Sequence, residues 1–210
     1  DSVSNKRQVT IVGDIAQKIL FARKFIGWEK VVEYLGLDDD AIIQLEVSFR
    51  CTVPIMTLAH KVAGDPKKVE GRTGPDPIWH QSENYIDLIE TLVDWSRGLL
   101  RVDPNKLIAL ICRYPKQAME IKEEMEAYLP GEVRLGHRDQ FSFEPGVLVT
   151  NIHQVKGLEF DSVALVEPDE ENYPKKREES RNMIYVGITR TQDDLLLATI
   201  RPYSAVLMGH

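Results

Sequence analysis

Ten positions, Thr150 to Glu159, carry Thr150, His153, Gln154, Lys156 and Glu159 between two apolar runs, Val147-Leu-Val-Thr150 and Ser162-Val-Ala-Leu-Val166. These side chains donate and accept hydrogen bonds or carry charge, so they suit a ligand rich in phosphate and hydroxyl oxygens. Further along, Thr189 and Arg190 follow the apolar positions Met183, Ile184, Val186, Gly187 and Ile188. An arginine fixed at the exit of a buried helix can grip phosphate oxygens bidentately and keeps its charge.

The elements that must hold these groups read as alternating strands and helices. Val9–Val12 is a β-branched run ending in Gly13-Asp14, which predicts a strand with a ligand loop at its carboxyl end. Residues 17–36 have helical spacing, and Ile42–Val47 predicts a second strand. Pro54–Val62 is expected to be helical behind its proline, residues 67–77 to be a loop, and Pro77–Gln81 a short strand. Ser82–Leu99 is the clearest amphipathic helix, with Ser82 as its expected N-cap. Lys106–Cys112 and Glu132–Leu135 read as strands flanking a charged helix, Pro115–Leu129. A helix around 177–188 and a strand over Asp194–Ile200 follow. This alternation predicts a three-layer α/β fold, a mostly parallel sheet with helices on both faces.

The 210 residues are 43% hydrophobic, enough for one large domain, or one domain plus a fragment, with a proper core. The net charge of −7 excludes a global basic field for nucleic acid but leaves room for a local groove. Cys51 and Cys112 do not form a CxxC pair and read as reduced core residues, which suits a cytoplasmic protein. No apolar run approaches the roughly 20 residues of a membrane span.

Two stretches carry a family resemblance. Thr150-Asn-Ile-His-Gln-Val-Lys-Gly-Leu-Glu-Phe160 resembles the fifth motif, and Glu178-Glu-Ser-Arg-Asn-Met-Ile-Tyr-Val-Gly-Ile-Thr-Arg190 the sixth motif, of superfamily 1 helicases of the UvrD/Rep type. Gly13-Asp-Ile-Ala-Gln17 resembles the third motif and Leu45-Glu-Val-Ser-Phe-Arg50 the fourth. The resemblance implies a RecA-like P-loop NTPase fold and a motor driven by ATP with Mg²⁺. It makes Gln17 a γ-phosphate sensor, Arg50 an arginine finger, Phe49 an adenine-stacking ring and Arg190 a second γ-phosphate arginine. By the same resemblance Glu159 accepts from the ribose hydroxyl, and Gly157 lets the backbone approach the nucleotide. Thr150 and His153 are implied contacts to the backbone of a bound strand, and Arg113, after Leu107–Cys112, a further nucleic-acid contact. Lys156 is expected to approach phosphate or to pair with Glu159, and Tyr185 to pack. Ser48, Phe49, Gly187 and Thr191 depart from the family's usual Asn, Tyr, Ala and Ala.

No Gly-x-x-x-x-Gly-Lys-Thr/Ser occurs, so the chain has no phosphate loop of its own. The expected organisation is therefore a remnant of a first motor domain over residues 1–40, followed by a second RecA-like motor domain over 41–210. The partners implied are the first motor domain and single-stranded DNA or RNA, and the expected activity is 3′→5′ translocation or unwinding. Alone, the chain is expected to be inactive. Only about twenty residues separate the Glu120–Tyr128 helix from Val147, so the large insertion of UvrD and Rep is lacking. With Glu170-Glu-Asn-Tyr-Pro174, this is similar to the HelD/helicase IV branch, whose members remodel RNA polymerase. A catalytically silent binding module is the alternative outside the ATPases.

Overall fold

A computed structural model describes residues 10–11, 27–38, 42, 50–64, 68–137 and 141–208. Gln17, Phe49 and the expected strand Ile42–Val47, apart from Ile42, lie outside the described residues, as do Gly13, Asp14 and Ser48. The elements in chain order are α1 (Trp28–Leu35), α2 (Val53–Ala63), β1 (Ile78–Gln81), α3 (Tyr85–Val102), β2 (Leu107–Cys112) and α4 (Pro115–Glu126). Then come β3 (Val133–Leu135), β4 (Gly146–Asn151), β5 (Phe160–Val166), α5 (Glu178–Ile188), β6 (Thr191–Thr199) and α6 (Ala205–Met208).

The six strands form one sheet in the order β1-β6-β5-β2-β4-β3. Every pairing within it is parallel, a step beyond the mostly parallel sheet expected. Composition tracks position in the sheet. β2, Leu-Ile-Ala-Leu-Ile-Cys, is buried at all its residues and sits centrally, as a strand covered on both faces must. β1, Ile-Trp-His-Gln, is largely exposed and lies at one edge.

Alternate residues of each central strand point to opposite faces and build two cores. Ile108, Leu110, Val147, Val149, Ala164, Leu196 and Ala198 pack beneath α3 and α4. Leu107, Ala109, Ile111, Leu148, Val163, Leu165 and Leu197 pack beneath α2, α5 and α6. Each fully buried Leu or Ile contributes about 1.5–3 kcal/mol, so both helical layers are firmly seated. The two cysteines, both free and buried, fall on opposite sides, Cys51 in the α2/α5 core and Cys112 in the α3/α4 core.

The sequence put the N-cap of α3 at Ser82, but the structure puts it at Asn84. Ser82 is still part of the sheet, its N–H donating to Thr199 O at 2.7 Å. Asn84 is extended, and its side chain accepts from Asp87 N (3.1 Å) while the Asp87 carboxylate accepts from Glu83 N (2.8 Å), a reciprocal cap. The charged helix ends at Glu126 rather than Leu129, and β5 begins at Phe160 rather than Ser162. Of α1, only Val32 is buried, and no described residue before Ile78 joins the sheet.

Candidate nucleotide and nucleic-acid edges

The amino and carboxyl ends of the strands give a parallel sheet two further, chemically distinct edges, and six of the expected site residues divide between them. Arg50, Glu159 and Arg190 gather where β5 and β6 begin. Arg113, Thr150 and His153 gather where β2 and β4 end.

At the first edge Arg50 Nη2 lies 2.5 Å from Glu159 Oε1, with both side chains about two-fifths exposed. Glu159 thus pairs with Arg50 rather than with Lys156, correcting the second of the two roles expected for that lysine. Arg190 is placed by the last turn of α5, where Thr189 is the C-cap. It is 2% exposed. Its Nε donates to Val186 O (3.3 Å), its Nη1 to Leu158 O (3.1 Å) and its Nη2 to Thr189 Oγ1 (3.5 Å). Burial first, and then the like charge of Arg50, pull its pKa below the usual arginine value. It stays cationic, because an arginine does not lose its proton in proteins. Cys51 Sγ sits over Thr189 O at 3.8 Å, and burial pushes the thiol up to about 11, so it is a packed thiol and no nucleophile. Two guanidiniums against one carboxylate favour an anion over a metal ion. Among the described residues no group of three His, Cys, Asp or Glu could hold a metal.

Arg72 was missed in the sequence. Its Nη1 donates to Asp193 Oδ1 and its Nη2 to both Arg50 O and Gln192 O, each at 2.9 Å. Its own carbonyl accepts from Val53 N at 2.8 Å. The stretch 67–77, expected to be only a loop, thus carries a strap that fixes the backbone of Arg50 to the start of β6. The available signal was a lone arginine between glycines, Gly71-Arg72-Thr73-Gly74.

The second edge begins at Thr150, which is fully buried with its hydroxyl donating to Gly136 O at 2.8 Å. As positioned, Thr150 secures the turn above it. Asn151 Oδ1 then accepts from His153 N (3.1 Å), turning the chain so that His153 is exposed. Arg113 Nη1 donates to His153 Nε2 at 3.1 Å, which requires that nitrogen to be unprotonated. Although the residue as a whole is exposed, partial burial of its ring against Arg113, and then the Arg113 cation, lower the His153 pKa, consistent with a neutral ring. Arg113 is 8% exposed, with Nε donating to Asn172 O at 3.3 Å. Glu167, at the end of β5, has φ +52° and binds Gln117 Nε2 at 2.7 Å through Oε2. An acid directly after a buried strand was the signal that reading passed over.

Residues 152–159 join the two edges. Because β2 lies between β4 and β5, this connection must cross over it and return the full depth of the sheet. It has eight residues, against the dozen or more usual for a parallel crossover. At full stretch it spans about 30 Å, against roughly 20 Å of sheet depth. It also contains turns closed by Gln154 N to Asn151 O and Leu158 N to Val155 O, so little slack remains. Gly157 supplies the left-handed φ of +85° that one of these turns requires. Ile152 and Val155, both fully buried, pin the crossover to the α2/α5 core.

A parallel α/β domain with an arginine-rich edge and an opposed polar edge is the class that fold and site define. Residues 133–202, from β3 to just past β6, match the family model of the UvrD-like helicase C-terminal domain. That stretch is about a third of the chain and contains Thr150, His153, Glu159 and Arg190. The fold is similar to the C-terminal domain of a possible DNA helicase from Lactobacillus plantarum WCFS1. The TM-score is 0.65 at 24% identity, over 77% of this chain and 92% of that one. More distant likenesses are the C-terminal domain of the DEAD-box protein Dbp5 (TM-score 0.42, 14% identity, 63% of this chain and 78% of that one) and the Pyrococcus furiosus Hef helicase domain (0.39, 18%, 56% and 26%). No curated protein matches the chain.

Proposed function

We propose that this chain is the second motor domain of an ATP-driven superfamily 1 helicase or translocase that steps 3′→5′ along single-stranded DNA. Residues 1–40 then belong with a first motor domain, which supplies the phosphate loop and holds Mg²⁺. The observation that carries this reading is the taut crossover of residues 152–159, with Glu159 beside Arg50 at one end and His153 beside Arg113 at the other. An ATP γ-phosphate entering between the domains draws the Arg50 guanidinium to itself, since phosphate offers a stronger bidentate partner. Glu159 is thereby freed to accept from the ribose hydroxyl. Arg190, held by backbone carbonyls, adds fixed positive charge behind the cleft. In the same reading Gln17 senses the γ-phosphate, Phe49 stacks on adenine and Gly157 lets the backbone near the nucleotide. Movement of Glu159 passes along the crossover to His153 and Arg113, which hold the strand, while Thr150 steadies the turn beneath them.

A second reading, an ATPase that remodels RNA polymerase, draws support from the short path between α4 and β4, which among the described residues holds β3 alone. ATP hydrolysis by this chain joined to its phosphate-loop domain, with and without single-stranded DNA, tests both. Arg50→Ala is expected to lower kcat by about 10³–10⁵ and Arg190→Lys to lower it less. Full activity in Arg50→Ala would sink the motor reading. Activity indifferent to DNA but stimulated by RNA polymerase would favour the second reading, and no activity in the intact protein would leave a binding module.

A further inference from the structure

We infer that Tyr114 is a base-stacking platform that takes one nucleobase of a single strand, the step by which the β2/β4 edge selects unpaired nucleic acid. The inference rests on the nucleic-acid reading of that edge and names a contact the motifs do not contain.

Single exposed aromatics are ordinary on protein surfaces. Tyr114 differs in being built into place. It is 45% exposed at the carboxyl end of β2. Pro115 follows it and restricts its backbone to the extended region, where it lies at φ −122° and ψ 150°. The Arg113 guanidinium carbon stands 4.7 Å from the ring centroid. That guanidinium cannot swing away, because Asn172 O and His153 Nε2 hold it at 3.3 and 3.1 Å. A ring held by its backbone and backed by a fixed cation loses little freedom when a base lands on it.

The surroundings suit the phosphate next to that base. α4 starts at Pro115 with no side-chain cap and no acidic residue of its own in the first turn, so its positive dipole end faces the same edge, with the Glu167 carboxylate already held there by Gln117 Nε2 at 2.7 Å. Lys116 in that turn is 88% exposed and only loosely paired with Glu120, at 3.4 Å. A chain of net charge −7 gains little from general attraction to phosphate, which leaves stacking as the larger source of affinity. Stacking needs a π face that duplex bases keep to themselves, so the ligand is single-stranded and its sequence matters little.

The test is the affinity of the full chain, by fluorescence anisotropy at low salt, for a labelled oligothymidylate, an oligouridylate of equal length and an abasic DNA strand. Tyr114→Ala should weaken binding to the base-bearing strands by about 5- to 150-fold and leave the abasic strand unchanged, and Tyr114→Trp should bind as wild type. Whichever base-bearing strand the wild-type chain binds more tightly, thymidylate or uridylate, distinguishes DNA from RNA as the occupant. Wild-type affinity in Tyr114→Ala overturns the platform alone, as does an equal loss on the abasic strand. A wild-type chain that binds none of the strands overturns the platform and the nucleic-acid reading together.

Discussion

His153 is where the second edge responds to pH. Burial and then the Arg113 cation lower its pKa, while in the unfolded chain it titrates near 6.5. Just below 6.5 the unfolded chain therefore binds more protons than the folded one. Linkage then requires stability to fall as pH drops through 6.5 toward the folded pKa, and to be fully present above 6.5. His153→Gln keeps an acceptor for Arg113 but removes the titration. Its urea midpoint should fall less than that of wild type between pH 7.5 and 5, and equal falls would refute the assignment. His153 and Arg113 were each readable as phosphate-binding types. Their direct pairing was not, because they lie 40 residues apart in sequence. Arg72 and Asp193, 121 residues apart, were further out of reach.

At the scale of the element, α5 carries most of the stretch that resembles the sixth motif and sits against β5 through Gly187. A Cβ at Gly187 would stand 2.5 Å from Leu165 Cδ2 and 3.3 Å from Ile152 Cδ1. The resemblance puts the family's usual Ala at this position, but the spacing admits no side chain beyond hydrogen unless Leu165 moves. Leu165 is 1% exposed, so it has nowhere open to go. Gly187→Ala gains about 1 kcal/mol of helix propensity and loses about 1–3 kcal/mol to overpacking. Net destabilisation is expected, visible in chemical denaturation. Adding Leu165→Val, which makes room, should recover part of the loss in a double-mutant cycle. A Gly187→Ala protein more stable than wild type would show that the contact relaxes freely. Arg190 follows the C-cap of α5 and its Nε binds Val186 O, so a displaced α5 also shifts that guanidinium. The N-cap of α3 teaches a related lesson about boundaries. Ser82 had the right chemistry, but its backbone hydrogen bond to Thr199 ties it to the sheet just past the end of β1.

For the whole molecule, both cores share the strands β2, β4, β5 and β6, so neither helical layer can leave without exposing the other's floor. Leu110, fully buried in β2, should on change to Ala cost about 2–5 kcal/mol and preserve a single transition. Cys51 and Cys112 lie on opposite faces and report on this independently. Their alkylation, resolved by peptide mass, should rise at the same denaturant concentration as the loss of circular dichroism. Separate midpoints for the two thiols would mean that the layers unfold separately.

The sequence determined the local facts by itself. Continuous apolar runs marked strands buried on both faces, the alternation with helices marked a mostly parallel α/β sheet, and the loops rich in cations and hydrogen-bonding groups were readable as phosphate-binding in type. These follow from nearest-neighbour sterics and side-chain periodicity, which a single segment contains in full. Only the tertiary structure decided the strand order, and with it which edge each group occupies. Placing β2 between β4 and β5 forces residues 152–159 to cross the sheet. That crossing sets Glu159 beside Arg50 and leaves His153 beside Arg113 on the opposite edge. Such pairings depend on how distant segments stack to bury both faces of the sheet at once, a condition that no single segment encodes.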